Sequence, residues 1–183
     1  MESNDDGGLN VIETTTECLS FRELTQADLP ALKLILQDEA TMFAYEHAFS
    51  DEEVQAWLDK QLGNYAQFGY GLWAVISKES GELIGQCGLT PQQVRDQTVL
   101  EIGYLFRRDC WHQGHATEAA RAVKQYAFDQ LKAYSIIRDN NLASMNVAIR
   151  NGMQVLDRIE KHYYGMTMPH YVFGMVNPQI KES

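Results

Sequence analysis

Hydrophobic residues along this chain switch between two periods, and the switches mark its elements. Over 98–106 odd and even positions separate: Leu100, Ile102, Tyr104 and Phe106 share one face, and Val99, Glu101, Gly103 and Leu105 share the other. That pattern predicts a strand buried on both sides. Leu19 and Phe21 alternate with polar neighbours in a shorter strand over 17–24. Two apolar runs, 71–77 and 82–90, flank Lys78-Glu79-Ser80-Gly81 and predict a hairpin, followed by a polar connector over 91–97. A short strand follows at 134–138, and residues 153–176 supply two more, broken near Tyr164-Gly165 and Met168-Pro169.

Elsewhere the period lengthens to that of a helix. Leu29, Leu32, Ile35 and Leu36 form a stripe behind Thr25, with Asp28 three residues on and Pro30 in the first turn. Val54, Trp57, Leu58 and Leu62 form a second stripe, capped by Ser50-Asp51-Glu52-Glu53 and ended by Gly63. Ala116, Ala119, Ala120, Val123, Ala127 and Leu131 make a third. Asn140 or Asn141 opens a fourth helix, which closes at Asn151-Gly152 as a left-handed cap. The order β-α-α-β-β-β-α-β-α-β-β has one βαβ crossover flanked by hairpins, which predicts a mixed sheet with helices on both faces.

The 183 residues suffice for one domain, which we place at 17–178, with residues 1–16 acidic and without regular structure and 179–183 as a tail. No apolar run approaches the roughly 20 residues of a membrane span. The first ten residues, MESNDDGGLN, lack the pattern of a signal or transit peptide, so a cytoplasmic location is expected. A formal charge of −10 disfavours nucleic acid and anionic membrane as partners, and would suit a cationic substrate such as an amine. Cys18, Cys87 and Cys110 are too scattered for a disulfide framework or a zinc motif.

The stretch TVLEIGYLFRRDCWHQGHATE, residues 98–118, carries the candidate chemistry. A carboxylate, Glu101, stands in an apolar strand, where burial without purpose is costly. Gly103 leaves room beside the backbone. The loop that follows holds Arg107, Arg108, His112 and His115, and a helix opens near Gly114. Free N–H groups and the positive end of the dipole make that helix start a phosphate cradle. The unit therefore reads as a site for a phosphate-bearing cofactor beside acid/base chemistry.

At Trp111-His112-Gln113-Gly114-His115-Ala116-Thr117-Glu118-Ala119 the sequence resembles the GNAT superfamily of N-acetyltransferases, and more narrowly the branch named for ribosomal-protein-alanine N-acetyltransferases. Further landmarks follow in family order: Phe21-Arg22-Glu23-Leu24, Gly85-Gln86-Cys87-Gly88, Glu101-Ile102-Gly103-Tyr104, Asn141-Leu142-Ala143-Ser144 and Asn151-Gly152-Met153. The resemblance implies an α/β (α+β) fold with a mixed, mostly antiparallel central sheet. It implies acetyl-CoA as cofactor, with CoA as product. The pantetheine arm would pair with Leu105 and Phe106, and the pyrophosphate would sit on the backbone of Trp111, His112, Gln113, Gly114, His115, Ala116 and Thr117. Asn141 and Ser144 match positions that face the cofactor. The chain departs from the pattern in three places. Trp111 stands where Arg or Gln often opens the phosphate loop, and Ala148 stands where many members carry a tyrosine near the thioester sulfur. The link Gln130-Leu131-Lys132-Ala133 is short and lacks a glycine.

Acetyl transfer to nitrogen requires a neutral amine, yet lysine-like amines titrate near pH 10.4 and α-amines near 8. Glu101 is the candidate base; its alternative is a buried ion pair or hydrogen bond without catalytic role. Ser144, Tyr163 or Tyr164 could protonate the leaving thiolate, though a tyrosine there also reads as core or substrate wall. Backbone N–H groups near Leu105 or Phe106 could polarise the thioester carbonyl. His112 and His115 are spaced i, i+3 but have no further ligand nearby in sequence, so no metal site is expected. Cys110 reads as structural or as an activated nucleophile, and His47 and His170 as acceptor-pocket residues or ordinary packed histidines. The leading expectation is an acetyl-CoA-dependent N-acetyltransferase, monomeric or homodimeric. Its acceptor would be a small cationic amine or a protein N-terminus. The alternative is a non-catalytic acetyl-CoA sensor.

Overall fold

The computed structural model describes residues 15–128 and 133–174. Within them β1 (Leu19–Arg22) leads through a 3₁₀ turn into α1 (Leu29–Leu36), and α2 (Asp51–Phe68) follows. The hairpin strands β2 (Leu72–Ser77) and β3 (Leu83–Val94) precede β4 (Gln97–Phe106) and α3 (His115–Phe128). Then come β5 (Ala133–Arg138), α4 (Leu142–Arg150), β6 (Gln154–Tyr163) and β7 (Met166–Gly174). The strands form one sheet in the order β1-β2-β3-β4-β5-β7-β6. Every neighbouring pair is antiparallel except β4 with β5. The expected element order and mixed sheet are both present.

The two faces of β4 separate as its alternation predicts. Leu100, Ile102 and Phe106 pack with Ala119, Val123 and Val147 under α3 and α4. Leu105 packs on the other side among Leu32, Ile35, Val54 and Leu58 of α1 and α2. Capping follows the local chemistry. The Thr25 N–H donates to the Asp28 carboxylate at 2.8 Å, and Arg22 donates to both Asp28 oxygens at 2.7 Å. At α2 the Glu53 N–H donates to Ser50 Oγ at 3.2 Å, and the Ser50 N–H donates to Glu53 Oε2 at 2.8 Å.

Four expectations about boundaries need correction. Gly63 does not end α2, which runs on to Phe68 and closes at Gly69 in the left-handed region (φ 73°). Tertiary bonds hold those last turns. Tyr65 Oη donates to the Leu72 carbonyl and accepts from the Leu24 N–H, and Gln61 Oε1 accepts from the Leu72 N–H at 3.0 Å. Leu62, counted in the apolar stripe, is instead exposed.

The polar connector over 91–97 is strand: β3 continues to Val94 opposite Gln97. Pro91 is tolerated there because β2 ends opposite Gly88, so the missing N–H faces no strand on that side. Pro169 likewise does not break β7. It pairs with Glu160, beyond the point where β5 ends opposite His170. Near the N-terminus, Thr16 is bonded rather than free, its Oγ1 accepting from the Leu19 N–H at 3.0 Å. The remainder of the expected unstructured segment, Leu131, most of the link Gln130-Leu131-Lys132-Ala133 and the C-terminal tail lie outside the described residues.

Candidate active site

The site lies where the sheet forks. β4 pairs with β3 along its whole length, but with β5 only at Leu100–Ala133 and Glu101–Tyr134. Ser135 Oγ adds one more tie, donating to the Ile102 carbonyl at 3.2 Å. Beyond that point β5 turns away to pair with β7, and among the described residues the outer edge of β4 from Gly103 onward has no strand beside it. The fork opens into a cavity of about 910 Å³.

At one end the cavity meets the loop before α3. Trp111, opening the loop, turns its indole inward, and Nε1 donates to the Phe106 carbonyl at 2.8 Å. A tryptophan here therefore fastens the loop to the end of β4 and packs its ring against the core. His112 (φ 60°) and Gly114 (φ 85°) are both left-handed, so the chain reverses twice before the helix starts. The N–H groups of His115, Ala116 and Thr117 then occupy the first turn, where no intrahelical acceptor exists. His115 adds Nδ1, buried and without a partner among the described residues.

Of the loop residues expected to bind, Trp111, His112, Gly114, His115, Ala116 and Thr117 line the cavity. Gln113 does not; its amide folds back to donate to the Asp109 carbonyl at 3.0 Å. Leu105 and Phe106 line the cavity too, although one lone pair of the Phe106 carbonyl is already used by Trp111.

Asn141 and Ser144 enter from α4. Asn141 caps the helix by accepting from the Ser144 N–H at 3.2 Å, and the Ser144 carbonyl accepts from Tyr104 Oη at 2.8 Å. Both face the cavity. Ala148 is buried in the core between sheet and helices, so this position contributes no hydroxyl to the cavity. Cys110 is half-buried. Burial, and then Asp109 beside it, push its thiol above the ordinary range, which argues against an activated thiolate.

Glu101 sits at the fork itself. Burial raises its carboxyl above the ordinary range; Lys161, the Ile136 N–H, Lys60 and the Gln92 amide pull the other way without reversing it. Around it stand Tyr45, Trp57, Tyr163 and Tyr164, together with Glu46 and Arg138, which pair with each other. Tyr163 is 43% exposed and contacts His170 edge-on at 6.4 Å. His170 faces the cavity, and burial lowers its pKa, which leaves the ring neutral at pH 7. His47 stands outside the cavity lining, bonded to Glu53 at 2.8 Å and packed on Tyr164.

Sequence reasoning missed Lys60, Gln92, Arg138, Lys161 and the anchoring role of Tyr104. Only Lys161 left a trace, in the alternation Asp157-Ile159-Lys161, whose members are half-buried along an otherwise exposed strand.

Comparison with known proteins identifies the family and the fold. Residues 19–154 match the sequence model of the acetyltransferase (GNAT) domain. The uncharacterized protein YkkB of Bacillus subtilis is 35% identical over 150 residues, covering 80% of this chain and 87% of YkkB. Among solved structures, a GNAT-family acetyltransferase from Bacillus anthracis is similar with a TM-score of 0.75 and 21% identity, over 88% of this chain and 96% of that one. RimL, a ribosomal alpha-N-protein acetyltransferase in complex with coenzyme A, is similar with a TM-score of 0.72 and 18% identity, over 89% and 96%. No described helix is long and apolar enough to cross a membrane.

Proposed function

Because the chain belongs to the GNAT acetyltransferase family, we propose that it moves an acetyl group from acetyl-CoA directly to a primary amine at the fork between β4 and β5. One observation carries this reading. Two parallel strands pair at two positions and then part, beside the N-terminus of α3, with a half-buried carboxylate at the point of parting.

The residues present fit the cofactor. A strand edge without a neighbour can bond an extended amide-bearing arm. The first turn of α3 and the orphaned Nδ1 of His115 suit a diphosphate. When bound, acetyl-CoA supplies a thioester as acetyl donor. Leu105 and Phe106 would hold the arm, and the loop from Trp111 to Thr117 would hold the phosphates through its backbone.

Glu101 takes the ammonium proton of the acceptor, directly or through one water, and leaves a neutral nitrogen able to attack a thioester carbon. With acetyl-CoA bound, the new carbon–nitrogen bond would replace the carbon–sulfur bond, and the second proton, shed by the nitrogen as the amide forms, would balance the one taken up by the departing thiolate. Ser144, Tyr163 and Tyr164 are among the cavity hydroxyls that would reprotonate it, whereas Tyr104 already donates its proton to the Ser144 carbonyl. With a thiol pKa near 8.5 that step adds little to the barrier at neutral pH. The absence of a hydroxyl at Ala148 is therefore compatible with turnover.

The test is acetyl-CoA binding by calorimetry, run beside thiol release with a panel of polyamines, aminoglycosides, amino acids and N-terminal peptides. Binding with amine-dependent thiol release supports the transferase. Binding with no release from any amine favours the sensor, and absence of binding overturns both.

A further inference from the structure

The charge of the whole chain and the charge of the acceptor end of the cavity point in opposite directions. The chain carries −10. At the acceptor end the cavity is lined by Lys60 from α2, Arg138 from the end of β5 and Lys161 from β6, against only Glu46 and Glu101. Arg138 and Glu46 are spent on each other. Lys161 Nζ donates to a neutral amide oxygen, Gln92 Oε1, at 3.1 Å and lies 5.9 Å from the centre of the Tyr163 ring. Lys60 has no hydrogen bond or ion pair among the described residues. Two ammonium groups thus share the field of one unpaired carboxylate, Glu101, and both favour its charged form.

The hydrogen-bond inventory shows the same imbalance independently of charge. Arg138 Nε is buried with no acceptor. Gln61, 1% exposed and lining the cavity, uses Oε1 for the Leu72 N–H and so offers the cavity no free amide oxygen there. A buried donor without an acceptor suits a ligand that brings acceptors with it. A diffuse surface charge is screened over about 8–10 Å, whereas half-buried groups such as Lys161 and Glu101 are screened less; Lys60 lines the same cavity but is exposed to solvent. The local surplus therefore decides what fits, and a polyamine would carry further ammonium groups into a site that already holds two.

We propose that the acceptor is a primary amine bearing a carboxylate close to the amine, with Lys60 and Lys161 holding the carboxylate and Glu101 left to serve the amine. This rests on the transferase reading above and reverses the cationic acceptor expected from net charge. Two sources share this chemistry: a free amino acid, and a peptide N-terminus with an acidic first or second residue.

The test uses the full chain saturated with acetyl-CoA. Methionine, phenylalanine, leucine and glutamate are each compared with their carboxamide and their decarboxylated amine, beside peptides with acidic or neutral first residues and spermidine. The expected result is a kcat/KM at least tenfold higher for the carboxylate member of a pair, carried mainly by KM. That preference should collapse in the Lys60→Met/Lys161→Met double variant while acetyl-CoA affinity is retained. The ratio within a pair is the informative readout, because removing Lys161 also shifts the Glu101 carboxyl and so changes all acceptors together.

Preference for free amino acids identifies the α-carboxylate as the bound group; preference for acidic peptides identifies the side chain. Equal or better turnover of amines without a carboxylate overturns the proposal and leaves the transferase standing. If no amine releases thiol, calorimetry of the same pairs on CoA-saturated protein decides. Selective binding of the carboxylates, lost in the double variant, keeps the anion subsite and sinks the transfer reading, whereas no binding sinks both.

Discussion

Replacing Glu101 by Gln separates what this residue does for the reaction from what it does for the fold. Burial holds the Glu101 carboxyl above its ordinary range, so ionising it opposes folding. Its pKa is raised in the folded state, so the protein loses stability as pH climbs from the unfolded value through the folded one. Gln removes that penalty but creates a mismatch. The carboxylate accepts from the Ile136 N–H and the Gln92 amide, and Gln92 Oε1 is held by Lys161 at 3.1 Å. A Gln at 101 can still accept from Ile136, but its own NH₂ then meets the NH₂ of Gln92, at the loss of about one hydrogen bond, 0.5–1.5 kcal/mol. The two effects oppose each other, and Tm should move by no more than about 4 °C in a chain of this size.

The rate should respond differently. A positioned general base contributes about 10²–10⁴-fold, or about 3–5 kcal/mol of barrier. Thiol release measured from pH 5 to 9 should show an acidic limb in the wild type, rising with pH as the carboxylate forms. The variant should lose both that limb and at least tenfold in kcat/KM, keeping only the titration of the acceptor amine. A variant within threefold of wild type across that range, with the same acidic limb, would refute the base assignment.

Three further outcomes follow from the packing. Asp28→Asn should cost about 1–2 kcal/mol by urea denaturation at pH 7, because both carboxylate oxygens accept from Arg22 and one also accepts from the Thr25 N–H. Burial of Asp28 works against ionisation, but the Arg22 and Thr25 bonds outweigh it and lower the pKa, so the stabilisation is present above the unfolded carboxyl pKa and fades as pH falls through the folded one. The wild-type-minus-variant difference should shrink below about pH 4. Gly88→Ala should be severely destabilising, by about 3 kcal/mol or more in thermal melts, since its Cβ would lie 1.9 Å from the Gly71 carbonyl oxygen and backbone must move. Asn141→Ala should cost about 1 kcal/mol through loss of the α4 cap, and calorimetry should show weaker acetyl-CoA binding, because Ser144 is positioned by that cap.

Period and parity made the frame of this fold legible. The alternation in β4 assigned its two faces correctly because each face meets a different pair of helices. Turn and cap residues located Thr25, Ser50, Asn141 and Gly152 because their requirements are local. Tertiary contacts overrode the local signal in α2: Gly63 weakens the helix, but Gln61 and Tyr65 bond to the start of β2 and carry the helix past it. The end of β3 was hidden because it runs beyond β2 and beside the cavity, so it needs no apolar side chains; its ladder with β4 holds it instead. The glycine loop and Glu101 were legible as a unit. Lys60, Gln92 and Arg138 were not, because they come from three separate elements and meet only after the sheet has formed.

The fork joins surfaces of two kinds. On the proposed reading, the donor is recognised by peptide N–H and C=O groups along β4 and the start of α3, which survive almost any change of side chain at the same position. On the proposed acceptor side they are the side chains of Lys60, Glu101 and Lys161, each removable by a single codon change. The identity of the donor is thus written in the path of the chain, and the choice of acceptor in its residues. If the proposed roles hold, drift would leave the first intact while it rewrites the second, and descendants of such a protein would keep their acetyl source and acquire new acceptors.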